Sequence, residues 1–339
     1  MSPQFVDFDG DGKLDIVAGT FDGSPHVALG TQKGWAQPQQ ILEASGARIV
    51  LNQFWNFDTK RWDETNRSDL PGAHKGHLTS AVAFDWDGDG DLDLLLGDHL
   101  SGRIYRRMNE GTASQPAFAA QNIPLAAGGA ELEVPGTVAT LRLVDWNKDG
   151  LLDILASGMG KAYEGGGAGV YLFLNTGTRN APAFGARRTL IEPGDHKGLD
   201  ALARPDAGLY VDAADIDGDG DLDLVVGGYS HWTTKAPVLT EEQKARVETL
   251  QRELAECDKQ QKELNGALER ATEGLDEGAA EKASEEFIAA HREEFSSAAK
   301  RRRTLQEELD PLVPGAKRDS FVWLYENLAV TAGPAQAGR

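Results

Sequence analysis

Apolar and polar positions alternate in short runs along most of the chain, and four of these runs share one shape. An acidic, glycine-bearing stretch leads into a short, nearly all-apolar run: DFDGDGKLDIVAG (7–19), DWDGDGDLDLLLG (85–97), DWNKDGLLDILASG (145–158) and DIDGDGDLDLVVG (215–227). Such runs, entered from Asp-Gly turns, read as strands buried on both faces. In two copies a second run follows, GRIYRRM and GVYLFL, and each ends in another repeat, NEGTASQPAF (109–118) and NTGTRNAPAF (175–184). The unit is strand, acidic turn, apolar strand, turn, aromatic strand, Asn-x-Gly-Thr turn, and a last strand after Pro-Ala-Phe. The first aspartates, Asp7, Asp85, Asp145 and Asp215, lie 60 to 78 residues apart. Tandem repetition at that spacing predicts a mainly β protein, a β-propeller of four-stranded antiparallel blades. A pair of packed sheets is the alternative, but tandem units argue against a Greek key.

Two segments break the pattern. Residues 43–80 are long, and QFWNFDTKRW predicts an extra hairpin around Asp58-Thr59-Lys60. In residues 239–313 the period changes. Val247, Leu250, Leu254, Cys257, Gln261, Leu264, Leu268, Ala271 and Leu275 step by three and four, a heptad seam with one polar position. Thr240 with Glu241 and Glu242 predicts a helix start, Gly274 and Gly278 a turn, and Phe287, His291, Phe295, Ala298, Leu305 and Leu309 the face of one returning helix. The expectation is an antiparallel α-helical coiled-coil hairpin. Its seam is weakest at Cys257 and Gln261, which offers a place for self-association through the arm. The aromatic strand missing after VVGGYS reappears beyond it as SFVWLYEN (320–327). The predicted organisation is therefore blades one to four in 1–238, the hairpin inserted in the fourth blade at 239–313, and the remainder of that blade with a tail in 314–339.

The acidic turns carry the candidate chemistry. Numbered from the first Asp, oxygen side chains fall at positions 1, 3, 5 and 9, and position 6 is Gly in every copy (Gly12, Gly90, Gly150, Gly220). Position 7 varies freely and is expected to offer its backbone carbonyl. This is the 1-3-5-7 spacing with a turn-making glycine that calcium loops use. Position 12 is apolar, so the closing carboxylate falls to position 9. The candidate metal sets are Asp7, Asp9, Asp11, Lys13 and Asp15; Asp85, Asp87, Asp89, Asp91 and Asp93; Asp145, Asn147, Asp149, Leu151 and Asp153; and Asp215, Asp217, Asp219, Asp221 and Asp223. Like charges about 4 Å apart repel by roughly 4 kcal/mol at an effective dielectric near 20, so carboxylates crowded this closely need a cation. About four Ca2+ ions are expected, one per loop. The third loop, with Asn147 for Asp and Lys148 beside it, should hold its ion least tightly. Mg2+ suits these loops less, because it keeps its waters and demands octahedral geometry.

Composition narrows the partners. The 339 residues carry a formal net charge of -20, which argues against nucleic acid or an anionic membrane. The single cysteine, Cys257, excludes an intramolecular disulfide framework. No run is long and apolar enough to span a bilayer. The opening residues MSPQFVDFDG do not have the basic start and apolar core of a signal peptide. They enter the first repeat almost at once, so further sequence upstream is expected.

The acidic turns resemble those of FG-GAP/VCBS-type repeats, the calcium-bearing blades also found in integrin α-subunit propellers. The Asn-x-Gly-Thr turns and the VWLYEN strand resemble bacterial VCBS-repeat proteins with a charged coiled-coil insertion. The resemblance covers the chain apart from the hairpin; Asn147, Ser157 and the short first strand depart from it. It implies a propeller, calcium in each loop and an extracellular or periplasmic location, but no activity. The expected function is a non-catalytic, calcium-stabilised scaffold for protein or glycan interaction or adhesion.

The alternative is a calcium-dependent polysaccharide hydrolase or lyase. It would need two uncommitted carboxylates roughly 5–10 Å apart in a cleft. The sequence contains no Gly-x-Ser-x-Gly, His-Glu-x-x-His or phosphate-binding loop. His74, His77, His99, His196 and His231 read as ordinary loop histidines, and Trp55, Trp62 and Trp232 as candidates for sugar stacking.

Overall fold

The computed structural model describes residues 3–65, 76–160, 166–194, 200–201 and 204–328. The chain is mainly β, in antiparallel sheets of two to four strands. It divides into two compact units, the second consisting chiefly of Trp232–Lys317.

The first unit contains four sheets in chain order. The first has β1 (Gln4–Val6), β2 (Asp15–Gly19) and β3 (Pro25–Ala28); a small hairpin of β4 (Gly30–Thr31) and β5 (Gly34–Trp35) leads to β6 (Gln39–Gln40), which pairs with β3. A separate hairpin follows, β7 (Gln53–Asn56) with β8 (Arg61–Glu64). Trp55 sits directly opposite Trp62, and Lys60 takes a left-handed φ of 51° at the turn. The second sheet is β9 (Leu78–Phe84), β10 (Asp93–Asp98), β11 (Ile104–Arg107) and β12 (Ile123–Pro124); the short pair β13 (Ala126–Ala127) and β14 (Ala130–Glu131) comes after it. The third is β15 (Thr140–Val144), β16 (Asp153–Ser157), β17 (Val170–Phe173) and β18 (Arg188–Ile191). The fourth has β19 (Ala207–Ala214), β20 (Asp223–Trp232) and β21 (Lys317–Tyr325).

The sheets pack face to face in sequence, and the apolar run after each acidic turn decides how. Leu94 and Leu96 enter the core shared with Val17 and Val27 of the first sheet, while Leu95 enters the core shared with Leu141 and Phe173 of the third. Ile154 and Ala156 face back in the same way, and Leu155 faces forward onto Leu209, Val211, Leu224 and Val226. Strand periodicity of two thus becomes a rule: positions 10 and 12 of each motif pack on the preceding sheet and position 11 on the following one.

The sequence between β20 and β21 is helical: α1 (Glu241–Thr272), α2 (Glu277–Ala290) and α3 (Arg292–Leu309). Thr240 and Gln243 form a reciprocal capping box at the start of α1. Val247, Leu250 and Cys257 pack with Leu305 and Leu309. Ala271 and Leu275, placed on the seam by spacing, are exposed. The single returning helix is also corrected, because it breaks at His291. The Phe287 carbonyl accepts from both the backbone N–H and the Nδ1 of His291, whose ring stacks on Phe287 at 4.0 Å, and a new helix begins at Arg292. Arg246–Glu308, Arg302–Asp258 and Arg301–Glu253 ion pairs join the helices. Pairs this exposed contribute little.

One buried ion pair ties the first connection to the second sheet. Arg107, fully buried, donates to Glu43 at 2.9 Å, to the Ala119 carbonyl at 2.7 Å and through Nε to Asn122 at 2.9 Å. Asn122 in turn donates to the Val50 carbonyl at 2.9 Å. Removing one member of such a pair leaves a buried charge uncompensated, typically at a cost of about 3–5 kcal/mol. Arg107→Met is therefore expected to lower stability by that order in urea unfolding, whereas Arg246→Met, at an exposed pair, should cost under about 1 kcal/mol. Equal losses in the two variants would contradict this assignment.

Candidate metal centres

The four acidic turns join the first and second strands of their sheets with one backbone course. Positions 4 and 6 are left-handed in every copy: Gly10 and Gly12 (72° and 86°), Gly88 and Gly90 (81° and 95°), Lys148 and Gly150 (59° and 85°), Gly218 and Gly220 (81° and 95°). Only glycine takes this conformation without strain, so Lys148 stands out. The position-1 carboxylate closes each turn by accepting backbone N–H groups. Asp7 accepts from Gly12 at 3.0 Å, Asp85 from Gly88 at 2.7 Å, Asp145 from Asp149 and Gly150 at 3.0 Å each, and Asp215 from Gly218 at 2.7 Å. A Cβ added to Gly88 would lie 2.3 Å from the side chain of Asn180, and one added to Gly10 would lie 3.2 Å from Ala113. The first and second acidic turns therefore abut the Asn-x-Gly-Thr turn of the next sheet.

The position-9 aspartates, Asp15, Asp93, Asp153 and Asp223, are buried, with exposures of 0 to 2%. Each is spent twice. One oxygen accepts the N–H of position 2, from Phe8 (2.7 Å), Trp86 (2.9 Å), Trp146 (3.0 Å) and Ile216 (3.0 Å). The other accepts an N–H just beyond the third strand, from Gly30 (2.6 Å), Asn109 (2.7 Å), Asn175 (2.7 Å) and Asn327 (2.9 Å). Spacing alone gives this residue a ligand's role and misses its work as a staple across two strands. Burial pushes the Asp93 carboxyl up to about 6 against the two N–H groups that stabilise its charge. At Asp223 the N–H groups of Asn327 and Ile216 dominate and hold it below the usual carboxylate range.

Three of the four turns gather carboxylates closely enough to share one ion. The groups are Asp7, Asp9 and Asp15; Asp85, Asp87 and Asp93; and Asp215, Asp217 and Asp219, with ligand atoms within 4.8 Å of one another. Asp7 Oδ1 is buried without a hydrogen-bond partner, as are Asp91 Oδ1 and both oxygens of Asp221. An orphaned carboxylate oxygen in such a cluster fits a cation. The position-7 side chains of the second and fourth loops carry such oxygens but are not members of the gathered groups. Burial, then Asp89, Asp87 and Asp85, pushes Asp91 up. Position 5 accepts the N–H of position 7 in every copy, at 2.9 to 3.0 Å, but only Asp219 joins its group; Asp11 also pairs with the Lys13 ammonium.

The third turn closes on itself. Both Asp145 oxygens accept backbone N–H groups, Asn147 donates to Asp149 at 2.9 Å, and Asp149 accepts the Leu151 N–H at 2.9 Å. Lys148 donates its ammonium to the carbonyl of Gly220 in the fourth turn.

Residues 85–156 and 145–226 match the family model of the FG-GAP-like repeat. No curated protein matches the chain. The two FG-GAP-like matches take in the second, third and fourth acidic turns. The Asp7 turn lies outside them, yet it has the same left-handed pair and the same staple.

His74 and His196 lie outside the described residues. His77 and His99 stack at 4.2 Å, and Trp62 covers His77 at 4.4 Å. They are packing residues beside the Trp55–Trp62 hairpin. His231 lies against Tyr229. Burial, then the neighbouring His99, pushes His77 down to about 4. A depressed histidine stabilises the fold above its unfolded value near 6.5 and loses that contribution as pH falls toward the folded value.

Two outcomes are expected. Asp93→Asn keeps one acceptor and turns an NH2 toward an N–H, which should cost about 1–3 kcal/mol in urea unfolding with chelator present; an unchanged midpoint would remove the staple from the account. His77→Phe should flatten the part of the stability loss that the parent shows between pH 6.5 and about 4. Parallel melting curves for parent and variant across that window would assign the loss to other groups.

Proposed function

We propose that the protein is a non-catalytic, calcium-stabilised scaffold whose four sheets are propeller blades and whose helical insertion is a contact arm for a protein or glycan partner outside the cytoplasm. The observation that carries this reading is the carboxylate group repeated at one place in three sheets, with the buried Asp7 Oδ1 and Asp91 Oδ1 without hydrogen-bond partners. Ca2+ suits these loops because it accepts six to eight oxygens in irregular geometry. When bound it supplies charge neutralisation and cross-linking within the turn. The protein's own residues do the rest: the position-1 and position-9 carboxylates hold the turn in shape through backbone N–H groups. Three loops are read as strong sites, and the third, with Asn147 and Lys148, as the weak one. Loops of this kind fill at the millimolar calcium found outside cells, which favours an exported protein. No helix among the described residues is long and apolar enough to cross a membrane.

A ligand that binds only the folded chain adds about 2.7 kcal/mol per site at 100 times its dissociation constant. Chelation is therefore expected to lower the melting temperature sharply, and added calcium to restore it. Calcium titration should fill three sites before the fourth, and Asn147→Asp should tighten the last one. An unchanged melt in metal-free protein would refute the calcium reading; early filling of the Asp145 loop would refute the ranking by charge.

A further inference from the structure

Between the second and third sheets, beside the second acidic turn, lies an open cleft of about 630 Å³, a size at which small ligands are held. One residue accounts for it. Each third strand sets a side chain opposite position 11 of the motif, on the face that packs on the following sheet. That side chain is Val27 in the first sheet and Leu172 in the third, both buried, but Arg106 in the second. The Arg106 guanidinium lies over the ring of the buried Trp86, 4.9 Å from its centroid. Stacking occupies the flat face of the guanidinium and leaves its in-plane N–H donors. Among the described residues these meet one acceptor, the Met108 sulfur at 3.9 Å. The neighbouring Arg103 and Arg107 pair with Glu131 at 2.8 Å and Glu43 at 2.9 Å. Arg106 pairs with no carboxylate among the described residues, on a chain with a charge of -20. A guanidinium without a partner is costly to seal between two sheets, and the gap stays open around it. Two further polar side chains reach the cleft, Asp87 and the exposed Asn180, while Met108, Pro124 and Phe184 give it apolar walls.

We propose that this cleft binds a glycan through a single carboxylated sugar, a hexuronate. Arg106 is the one cation lining it, and its planar fork takes the carboxylate through paired N–H donors. Asp87 and Asn180 take ring hydroxyls, and the apolar walls take the C–H faces of the ring. Asp87 also repels a second carboxylate. A ligand with one negative charge and many hydroxyls therefore fits better than a peptide, which brings a carboxylate but few hydroxyls to meet Asp87. The inference rests on the scaffold reading and names the chemistry of its partner.

The experiment is calorimetric and saturation-transfer NMR titration of the full chain in calcium. The probes are sodium glucuronate, galacturonate and mannuronate, the corresponding neutral hexoses, and a Gly-Asp-Gly peptide blocked at both ends. At least one uronate is expected to bind about tenfold or more tightly than its neutral hexose and than the peptide. Dimers and trimers of that uronate should bind at least as tightly as the free acid, as a glycan site requires. Arg106→Leu, which puts the third sheet's residue at this position, should weaken binding about tenfold or more with the calcium-dependent melt unchanged. Asn180→Ala, at an exposed position, should weaken it about threefold and serves as the test where Arg106→Leu loses its fold. No binding by any of the uronates, equal affinity for the neutral hexose, tighter binding of the peptide, oligomers that bind more weakly than the free acid, or affinity that the variants retain would each overturn the proposal. The chelation melt is a separate readout: its calcium dependence tests the scaffold reading whether or not a uronate binds.

Discussion

A carboxylate with almost no exposure to water must be compensated on both oxygens, because an ionised group moved out of water is costly unless hydrogen bonds replace its hydration. At Asp15, Asp93, Asp153 and Asp223 the compensation comes from two backbone N–H groups in different parts of the sheet, one in the acidic turn and one beyond the third strand. Three strands are thereby held by one side chain. The fourth sheet shows how much this controls. Asp223 receives the N–H of Asn327, 104 residues away, at 2.9 Å. Asn327 follows β21 as Asn109 follows β11 and Asn175 follows β17. The returning strand is thus set in register by the same bond that sets it elsewhere, whatever the chain does in between.

The staple and the carboxylate groups share atoms. Asp15 and Asp93 hold their sheets and also stand with the position-1 and position-3 carboxylates. Charge added to or removed from the group is therefore felt in the geometry of three strands. The third turn solves the same repulsion differently. It has one carboxylate fewer than the first turn and two fewer than the second and fourth, spends both oxygens of Asp145 on backbone N–H groups, and places its own ammonium, Lys148, on the neighbouring turn. A left-handed lysine is strained. That lysine occupies the turn whose acidic residues do not gather, and its ammonium lies on the carbonyl of Gly220 in the fourth turn, away from the third turn's own carboxylates.

The elements legible in the sequence were those with a local cause. The acidic turns, the apolar strands after them and the Trp55–Trp62 hairpin depend on residues adjacent in the chain. What could not be read depends on partners brought in by the fold. The short polar strand Gln39–Gln40 has no period to reveal it and exists because β3 offers it a ladder. The double use of position 9 requires knowing which N–H lies across the sheet. The orphaned oxygens of Asp91 and Asp221 depend on how the folded turn shields single atoms, which spacing does not report. The break at His291 was hidden because apolar spacing continues through it. A side-chain hydrogen bond to the Phe287 carbonyl competes there with the helix ladder. His77 and His99 looked like loop residues because the aromatic cover over them comes from a hairpin more than ten positions away in sequence.

The two ends of each sheet are under different constraints, and the distribution of length variation follows from that. At one end lies the acidic turn, with the same backbone course in all four sheets, and beside it in the second and third sheets the Asn-x-Gly-Thr turn. In both of those turns an asparagine side chain accepts two backbone N–H groups, at 3.1 and 2.7 Å for Asn109 and at 3.0 and 3.2 Å for Asn175. An inserted residue there would break hydrogen bonds to buried groups. At the other end the turn between second and third strands is held by a buried aspartate that accepts a backbone N–H and a serine hydroxyl in the first sheet (Asp22 with Ser24) and in the second (Asp98 with Ser101), and its length differs from sheet to sheet. It occupies residues 20–24 in the first sheet, 99–103 in the second and 158–169 in the third. In the fourth it expands into three helices. A long insertion costs little in closure entropy when its ends are already neighbours in a sheet, and Lys317 lies over the ring of Trp232 at 4.9 Å where the chain leaves and returns. The helical segment sits where the sheet tolerates additional chain, and the acidic turns sit where it does not. A chain built this way can change what it contacts through one end of its sheets without disturbing the carboxylates that hold the other.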